Sequence, residues 1–356
     1  MGHLTGSNIL VTGANGQLGT CIKDEIDNGN SENVWHFADR SIVDITDIDS
    51  IRKFVIDNNI KVIVNCAAYT NVDKAEEDYD AALEINYGGV CKLTSVCREF
   101  GIYLIHISTD YVFNGRSSRP YKTSSECHPI GTYGTTKWLG ECYALEYEKA
   151  IVIRTSWLYS EYGKNFYRTM INRIIEGKET NVVCDQVGSP TYARDLAEFI
   201  IFLIEKQDEE DIEAHTGLYH FTNNGCCSWY DFAASIEQLW HSKGRNDFIQ
   251  PCKTSEYPTK AERPSYSVLD KTDLYEFPYE PRHWLAALRH CMMNDNEIKE
   301  HYKRKHPRKR VLFNFYAMFI SSKEYNNLDE ELPKWLRVHL GHMKGPQSRH
   351  WSRSSL

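Results

Sequence analysis

The sequence predicts an α/β fold: a doubly wound parallel sheet of Rossmann type with a smaller C-terminal substrate-binding lobe. Three observations predict it. Short apolar runs alternate with amphipathic helical segments through the first 155 residues, the pattern of repeated βα units joined by right-handed crossovers. The first apolar run ends in a glycine-spaced turn, "VTGANGQLGT", directly before a helical segment. After 155 the rhythm breaks, and Gly-, Pro- and Tyr-containing stretches interleave with single helices.

Residues 8–12 read as the first strand, stopping at Gly13, and 16–28 as the first helix. A second strand follows at 34–38. Thr46-Asp47 then opens a helix, with Ile48, Ile51 and Val55 at helical spacing. Residues 61–65 form a third strand, 75–100 one long helix, 103–108 a fourth strand, 133–149 a helix and 151–154 a fifth strand. Later, 196–206 and 229–241 read as helices. The domains implied are 1–155 for dinucleotide binding, with a return to the sheet from about 183–206, and 156–295 for the substrate lobe. Residues 296–356 form a basic, aromatic C-terminal extension.

A hydrophobic fraction of 41% and a charged fraction of 25% allow a sizeable core. The net charge of -8 argues against nonspecific nucleic-acid binding. The extension runs against that balance, with 13 Lys and Arg against 6 Asp and Glu from 296 onward. Its basic run "HYKRKHPRKR" precedes the apolar "VLFNFYAMFI", which is too short to span a bilayer; a docked extension is the expectation. Eleven cysteines show no CxxC and no zinc-type spacing, so no metal is expected and the thiols should be free. Cys66 and Cys184 sit in apolar runs and should be buried. Free thiols, no signal pattern and no integral membrane segment predict a cytoplasmic protein.

Gly13, Gly16 and Gly19 lie between strand and helix, where they allow a tight turn and close approach of a pyrophosphate. The loop residues Asn15, Gln17 and Leu18 then present main-chain N–H groups at the helix start. Asp39, twenty residues past Gly19, ends the second strand, where a carboxylate binds the adenosine ribose of NAD. Arg40 beside it suits the 2′-phosphate of NADP, so NADH and NADPH are both expected.

Tyr133 and Lys137 are four apart at a helix start and share a face. An ammonium near a phenol favours phenolate and lowers its pKa. Such a pair exchanges a proton with a carbonyl or alcohol during hydride transfer. Thr109, at the C-terminal end of the fourth strand, supplies a hydroxyl where open α/β sheets bind ligands.

These motifs, with "DITD" (44–47), "NCAAYTNVDKAE" (65–76), "ISTDYVFNG" (107–115), "YGTTKWLGE" (133–141), "RTSWLY" (154–159), "GKNF" (163–166), "DQVGSPTYARDLA" (185–197) and "RPSYSVLD" (263–270), resemble the extended short-chain dehydrogenase/reductases. Within them the likeness is to the dTDP-4-dehydrorhamnose reductases, over roughly residues 7–293. The resemblance implies reduction of a C4 ketone by NADPH or NADH, with Thr109, Tyr133 and Lys137 as the catalytic set and Tyr133 as proton donor. It implies that Asp44, Ile45, Ala67, Ala68 and Tyr69 line the cofactor site. Thr70, Tyr111, Trp157 and Arg263 would meet the nucleotide sugar. Trp157 would be an aromatic wall for the deoxysugar, Arg263 a donor fork for the diphosphate, and the loop 185–191 an enclosure. A homodimer is a family-level expectation.

Related dehydratases carry Asp-Glu after the threonine, where this chain has Asp110-Tyr111; without the second carboxylate elimination is poorly served. Epimerases share the motifs. So does a regulatory subunit of methionine adenosyltransferase, although the 154–159 and 185–197 stretches look more like the reductases.

Overall fold

The computed structural model describes residues 6–205, 215–240 and 248–305. The chain divides into two units, Met1–Asp295 and Asn296–Leu356. In the first, β1 (Asn8–Thr12), β2 (Val34–Ala38), β3 (Ile60–Asn65), β4 (Tyr103–Thr109) and β5 (Ala150–Thr155) join Gly217–His220 in one sheet. The order is Gly217–His220, β5, β4, β3, β1, β2, and every pairing is parallel. Strand order reverses between β1 and β3, so a crevice opens at their C-terminal ends.

The helices of this unit up to residue 205 are α1 (Gln17–Asn28), α2 (Ile48–Asn58), α3 (Val72–Ala75), α4 (Tyr79–Leu83), α5 (Gly89–Phe100), α6 (Thr132–Leu145), α7 (Phe166–Ile175) and α8 (Ala193–Glu205). Alternation along the strands sorts them into two layers. Ile9, Val11, Val62 and Val64 pack with α1 and α8. Leu10, Ile63, Leu104 and Val152 face the opposite side and pack with α2, α5 and α6. Asp47 caps α2 by accepting from the Asp49 N–H at 3.0 Å, as the Thr46-Asp47 signal implied.

The helix expected over 75–100 is broken into α3, α4, a π-helical turn at Glu84–Gly88, and α5. The turn aims the buried Asn86 inward. Its amide accepts from the Tyr69 N–H (2.8 Å) and donates to the Tyr69 carbonyl and Thr136 Oγ1, each at 3.1 Å. Helical periodicity alone carries no mark of such an insertion.

The return to the main sheet also differs from expectation. Residues 183–206 contribute the short strands Val187–Gly188 and Thr191–Tyr192, then α8; the strand that joins the sheet is Gly217–His220. Thr180–Val183 pairs instead with Ile249–Cys252. Cys184 lies just past that strand and is exposed, not buried, while Cys66 is half-buried. All eleven thiols are free. Among the described residues no helix is long and apolar enough to cross a membrane. The second unit begins with the helix Asn296–Lys305; most of the basic run and all of the apolar decad lie outside the described residues.

Candidate active site

A cavity of about 910 Å³ opens where β1, β3, β4 and β5 end. Gly13, Asn15, Gly16, Gln17, Leu18, Asp39, Arg40, Asp44, Ile45, Ala67 and Ala68 line it, together with Thr70, Thr109, Tyr111, Tyr133, Lys137, Trp157 and Arg263. Tyr69 is not part of that wall. Its main chain is tied to Asn86, and its hydroxyl donates to Asp78 at 3.4 Å.

At the glycine turn, Gly13 has φ +65°, and a Cβ there would stand 2.7 Å from the Ala67 nitrogen. Only glycine combines that backbone with so close an approach. Gly16 precedes α1 without any side-chain cap, so the first-turn N–H groups stay free for an anion. Asp39 accepts from Asn15 Nδ2 (2.8 Å) and from the Ser41 N–H (2.9 Å) and Oγ (2.6 Å). The bonds from Ser41 hold its carboxyl below the ordinary aspartate value. Arg40 is exposed and leans on Asp44, Nε to Oδ2 at 3.1 Å. A glycine cradle, an uncapped helix end and a fixed carboxylate fit a nicotinamide dinucleotide.

Thr109 closes β4, and Tyr133 and Lys137 occupy the first turns of α6. Burial pushes the Tyr133 phenol well above its usual pKa; a side-chain hydrogen bond with Thr109 counters part of the rise, and Asp110 and Tyr111 add to it. The Lys137 ammonium donates to the Ile107 carbonyl at 2.5 Å. Burial lowers its pKa to about 8, against an upward pull from Glu141 and Cys66. The expectation that Lys137 would depress the phenol pKa is therefore corrected: desolvation dominates and Tyr133 stays protonated, the form a proton donor needs. The Tyr111 ring meets Tyr133 edge-on, centroids 5.5 Å apart at 75°.

Beneath Lys137 lies a buried ion pair that sequence reading missed. Glu141 and Arg154 are 1% and 3% exposed in their side chains, and Glu141 Oε2 also accepts from Ser108 Oγ at 2.6 Å. Arg154 Nη1 donates to His220 Nε2 at 3.3 Å, since Nδ1 is spent on the Asp270 carbonyl at 3.0 Å. Burial raises the neighbouring Asp110 carboxyl to about 7.

Across the cavity, Arg263 Nη1 donates to the Tyr111 hydroxyl at 3.2 Å and Nη2 to Asp73 Oδ2 at 2.7 Å. Trp157 lies two residues past Thr155, the register partner of Thr109. Its indole is stacked on Trp229, centroids 3.6 Å apart at 8°. The wall also contains Trp229, Phe166, Lys164, Cys66 and Asp110, none of which the sequence motifs had assigned. Trp229 lies inside a Ser-x-x-Asp helix-start pattern (228–231), the signal that could have flagged it. Among the described residues no group of three His, Cys, Asp or Glu side chains could hold a metal.

The RmlD substrate binding domain family matches residues 7–296. The chain belongs to this family. It is 38% identical over 289 residues to the dTDP-4-dehydrorhamnose reductase of Aggregatibacter actinomycetemcomitans, covering 80% of this chain and 97% of that protein. It is 39% identical to the dTDP-4-keto-6-deoxy-D-glucose reductase of Streptomyces niveus, over 78% of this chain and 94% of the relative. The crystal structure of a Bacillus anthracis dTDP-4-dehydrorhamnose reductase in complex with NADP superposes with a TM-score of 0.74 at 36% identity, covering 81% of this chain and 99% of that one. The RmlD match ends at 296, beside the boundary of the first unit.

Proposed function

We propose that this protein reduces the C4 ketone of dTDP-4-dehydrorhamnose to dTDP-L-rhamnose, using NADPH or NADH. The observation that carries the chemistry is the convergence of Tyr133, Thr109 and Lys137 on the wall of the cavity that begins at the glycine cradle, with burial holding the phenol above its ordinary pKa. The substrate comes from the relatives, two of which are named as reductases of dTDP 4-keto sugars.

When bound, the dihydronicotinamide supplies a hydride to C4. Tyr133 gives its proton to O4 as alkoxide character develops, so the ketone gains one hydride and one proton. Thr109 hydrogen-bonds the same oxygen and holds it against the phenol. Lys137, anchored on the Ile107 carbonyl, favours the phenolate that remains. Thr70, Tyr111 and Trp157 receive the sugar and Arg263 the diphosphate; Asp39 takes the adenosine ribose and Arg40 a 2′-phosphate. Tyr111 stands where elimination would need a carboxylate, and its hydroxyl is bonded to Arg263, which supports reduction without dehydration.

Incubation with a panel of dTDP-4-keto-6-deoxy sugars and NADPH tests this reading. Stoichiometric cofactor oxidation and NMR identification of dTDP-L-rhamnose are expected; no oxidation with any sugar would sink it. Eleven free thiols support residence in the reducing cytoplasm. The dimer that the resemblance implies belongs to the same reading, and light scattering checks it.

A further inference from the structure

Trp157 is held in an unusual way. Its φ is +48°, a left-handed backbone that a tryptophan keeps only where its surroundings over-determine it. A Cβ on Gly188 would lie 2.5–2.8 Å from Trp157 Cε2, Nε1 and Cζ2, so the Gly188 backbone presses on the indole. Trp229 lies parallel on it at 3.6 Å. The two cannot share a face, so both faces are covered and only the edge is left for the cavity. This revises the sequence picture of Trp157 as a flat wall.

Both jaws come from one small piece of structure. Gly188 pairs with Cys227 across an antiparallel two-stranded ladder. Trp229 begins the helix Trp229–Trp240 directly after that ladder. The helix start is fixed because Ser228 Oγ donates to Asp231 Oδ2 (2.7 Å) and accepts from the Asp231 N–H (3.0 Å). Trp157 is tied to the same region: Ser156 Oγ donates to the Ser189 carbonyl (2.6 Å), and the Trp157 carbonyl accepts from the Thr191 N–H (3.3 Å). Isolated aromatic pairs prefer an offset, with centroids about 4.5–7 Å apart. The nearly superposed rings here are thus imposed by the backbone on either side.

We propose that Trp229 is a positioning residue for substrate recognition: with the Gly188 backbone it clamps Trp157 and fixes the indole edge that bounds the sugar end of the cavity. The clamp deepens the reductase reading and rests on it for the identity of the sugar. Its effect falls mainly on the sugar end, since the glycine loop meets this region through the Leu158 main chain, whose carbonyl accepts from Gln17 Nε2 at 3.2 Å, and not through the indole.

The test compares wild type with Trp229→Ala, Trp229→Phe and Gly188→Ala, using the dTDP-4-keto sugar and NADPH. Trp229→Ala raises the KM for the sugar by about ten-fold or more, leaves the KM for NADPH within about two-fold, and changes kcat less than KM. Trp229→Phe, which keeps a flat ring, restores most of the sugar affinity. Gly188→Ala displaces the indole and resembles Trp229→Ala. Far-ultraviolet circular dichroism reads the clamp directly: the exciton couplet of the two stacked indoles disappears equally in Trp229→Phe and Trp157→Phe. An unchanged sugar KM in Trp229→Ala, or a parallel rise of both KM values, overturns the proposal. A wild-type enzyme that turns over no 4-keto sugar overturns the reductase reading instead, and the couplet then still decides whether the clamp exists.

Discussion

The ammonium of Lys137 is fastened to the carbonyl of Ile107 at 2.5 Å, one helical turn from the Tyr133 phenol. Burial brings its pKa to about 8. Its positive charge is therefore present below that pH and lost above it.

The first prediction concerns that charge. The rate should fall as pH rises through about 8, where Lys137 deprotonates. Stability should respond in the opposite sense. The unfolded chain keeps this proton up to about 10.5 and the folded chain only up to about 8, so between those values the unfolded state binds more protons. Folding then gains as pH rises through that window. Below it, the buried ammonium costs about 3 kcal/mol. Lys137→Met should thus raise Tm at pH 7, with an advantage that narrows toward pH 10, and should be nearly inactive. Calorimetry across pH checks both parts, and a lower Tm at pH 7 would refute the account.

The two tyrosines separate by kinetics. Tyr133→Phe removes the proton donor and should lower kcat by about 10²–10⁴-fold while NADPH binding survives. Tyr111→Phe removes only the hydroxyl that accepts from Arg263. It should raise the KM for the sugar a few-fold with kcat nearly intact. Steady-state kinetics of the pair decides, and the reverse pattern would exchange their roles.

Cofactor choice rests on Asp39 and Arg40. Asp39 is fixed by Asn15 and Ser41, whereas Arg40 is free to swing because its link to Asp44 is exposed. Both NADH and NADPH should be used. Arg40→Ala should lower efficiency with NADPH by about ten-fold, the scale of one charged hydrogen bond, and leave NADH almost unchanged. A thousand-fold preference in wild type for either cofactor would contradict this.

The Glu141–Arg154 pair makes a stability prediction. Glu141→Ala leaves Arg154 buried without its carboxylate and should cost about 3–5 kcal/mol. Replacing both residues by leucine and methionine should recover much of that loss. Urea denaturation of the single and double variants measures it; equal stability of the Glu141→Ala variant and wild type would remove the pair from the core of the fold.

The main sheet was legible because each of its first five strands is a short apolar run with a turn or helix start beyond it. The glycine turn, Asp39, Thr109 and the Tyr133–Lys137 pair follow from local spacing, and all of them line the cavity. What local spacing does not carry is contact at long range. Asn86 leaves the helical path to bind Tyr69 and Thr136. Arg154 meets Glu141 through a buried pair, and Trp229 reaches Trp157 from far along the chain. Lys137 and Tyr133 both line the cavity, but the phenol's pKa is set first by desolvation, which a sequence does not display. Cys184 was misread because an apolar run was extended one residue past the end of its strand.

The Asn86 amide has a mechanical consequence. It spans from the main chain of Tyr69, beside the Ala67-Ala68 turn, to Thr136 on the helix that carries the proton donor. A single planar group therefore couples the floor under the dinucleotide to the acid above it. A displacement of either part loads the other through these three hydrogen bonds. The dinucleotide side and the acid side of the cavity are thus held in register by a residue that is not itself part of its wall.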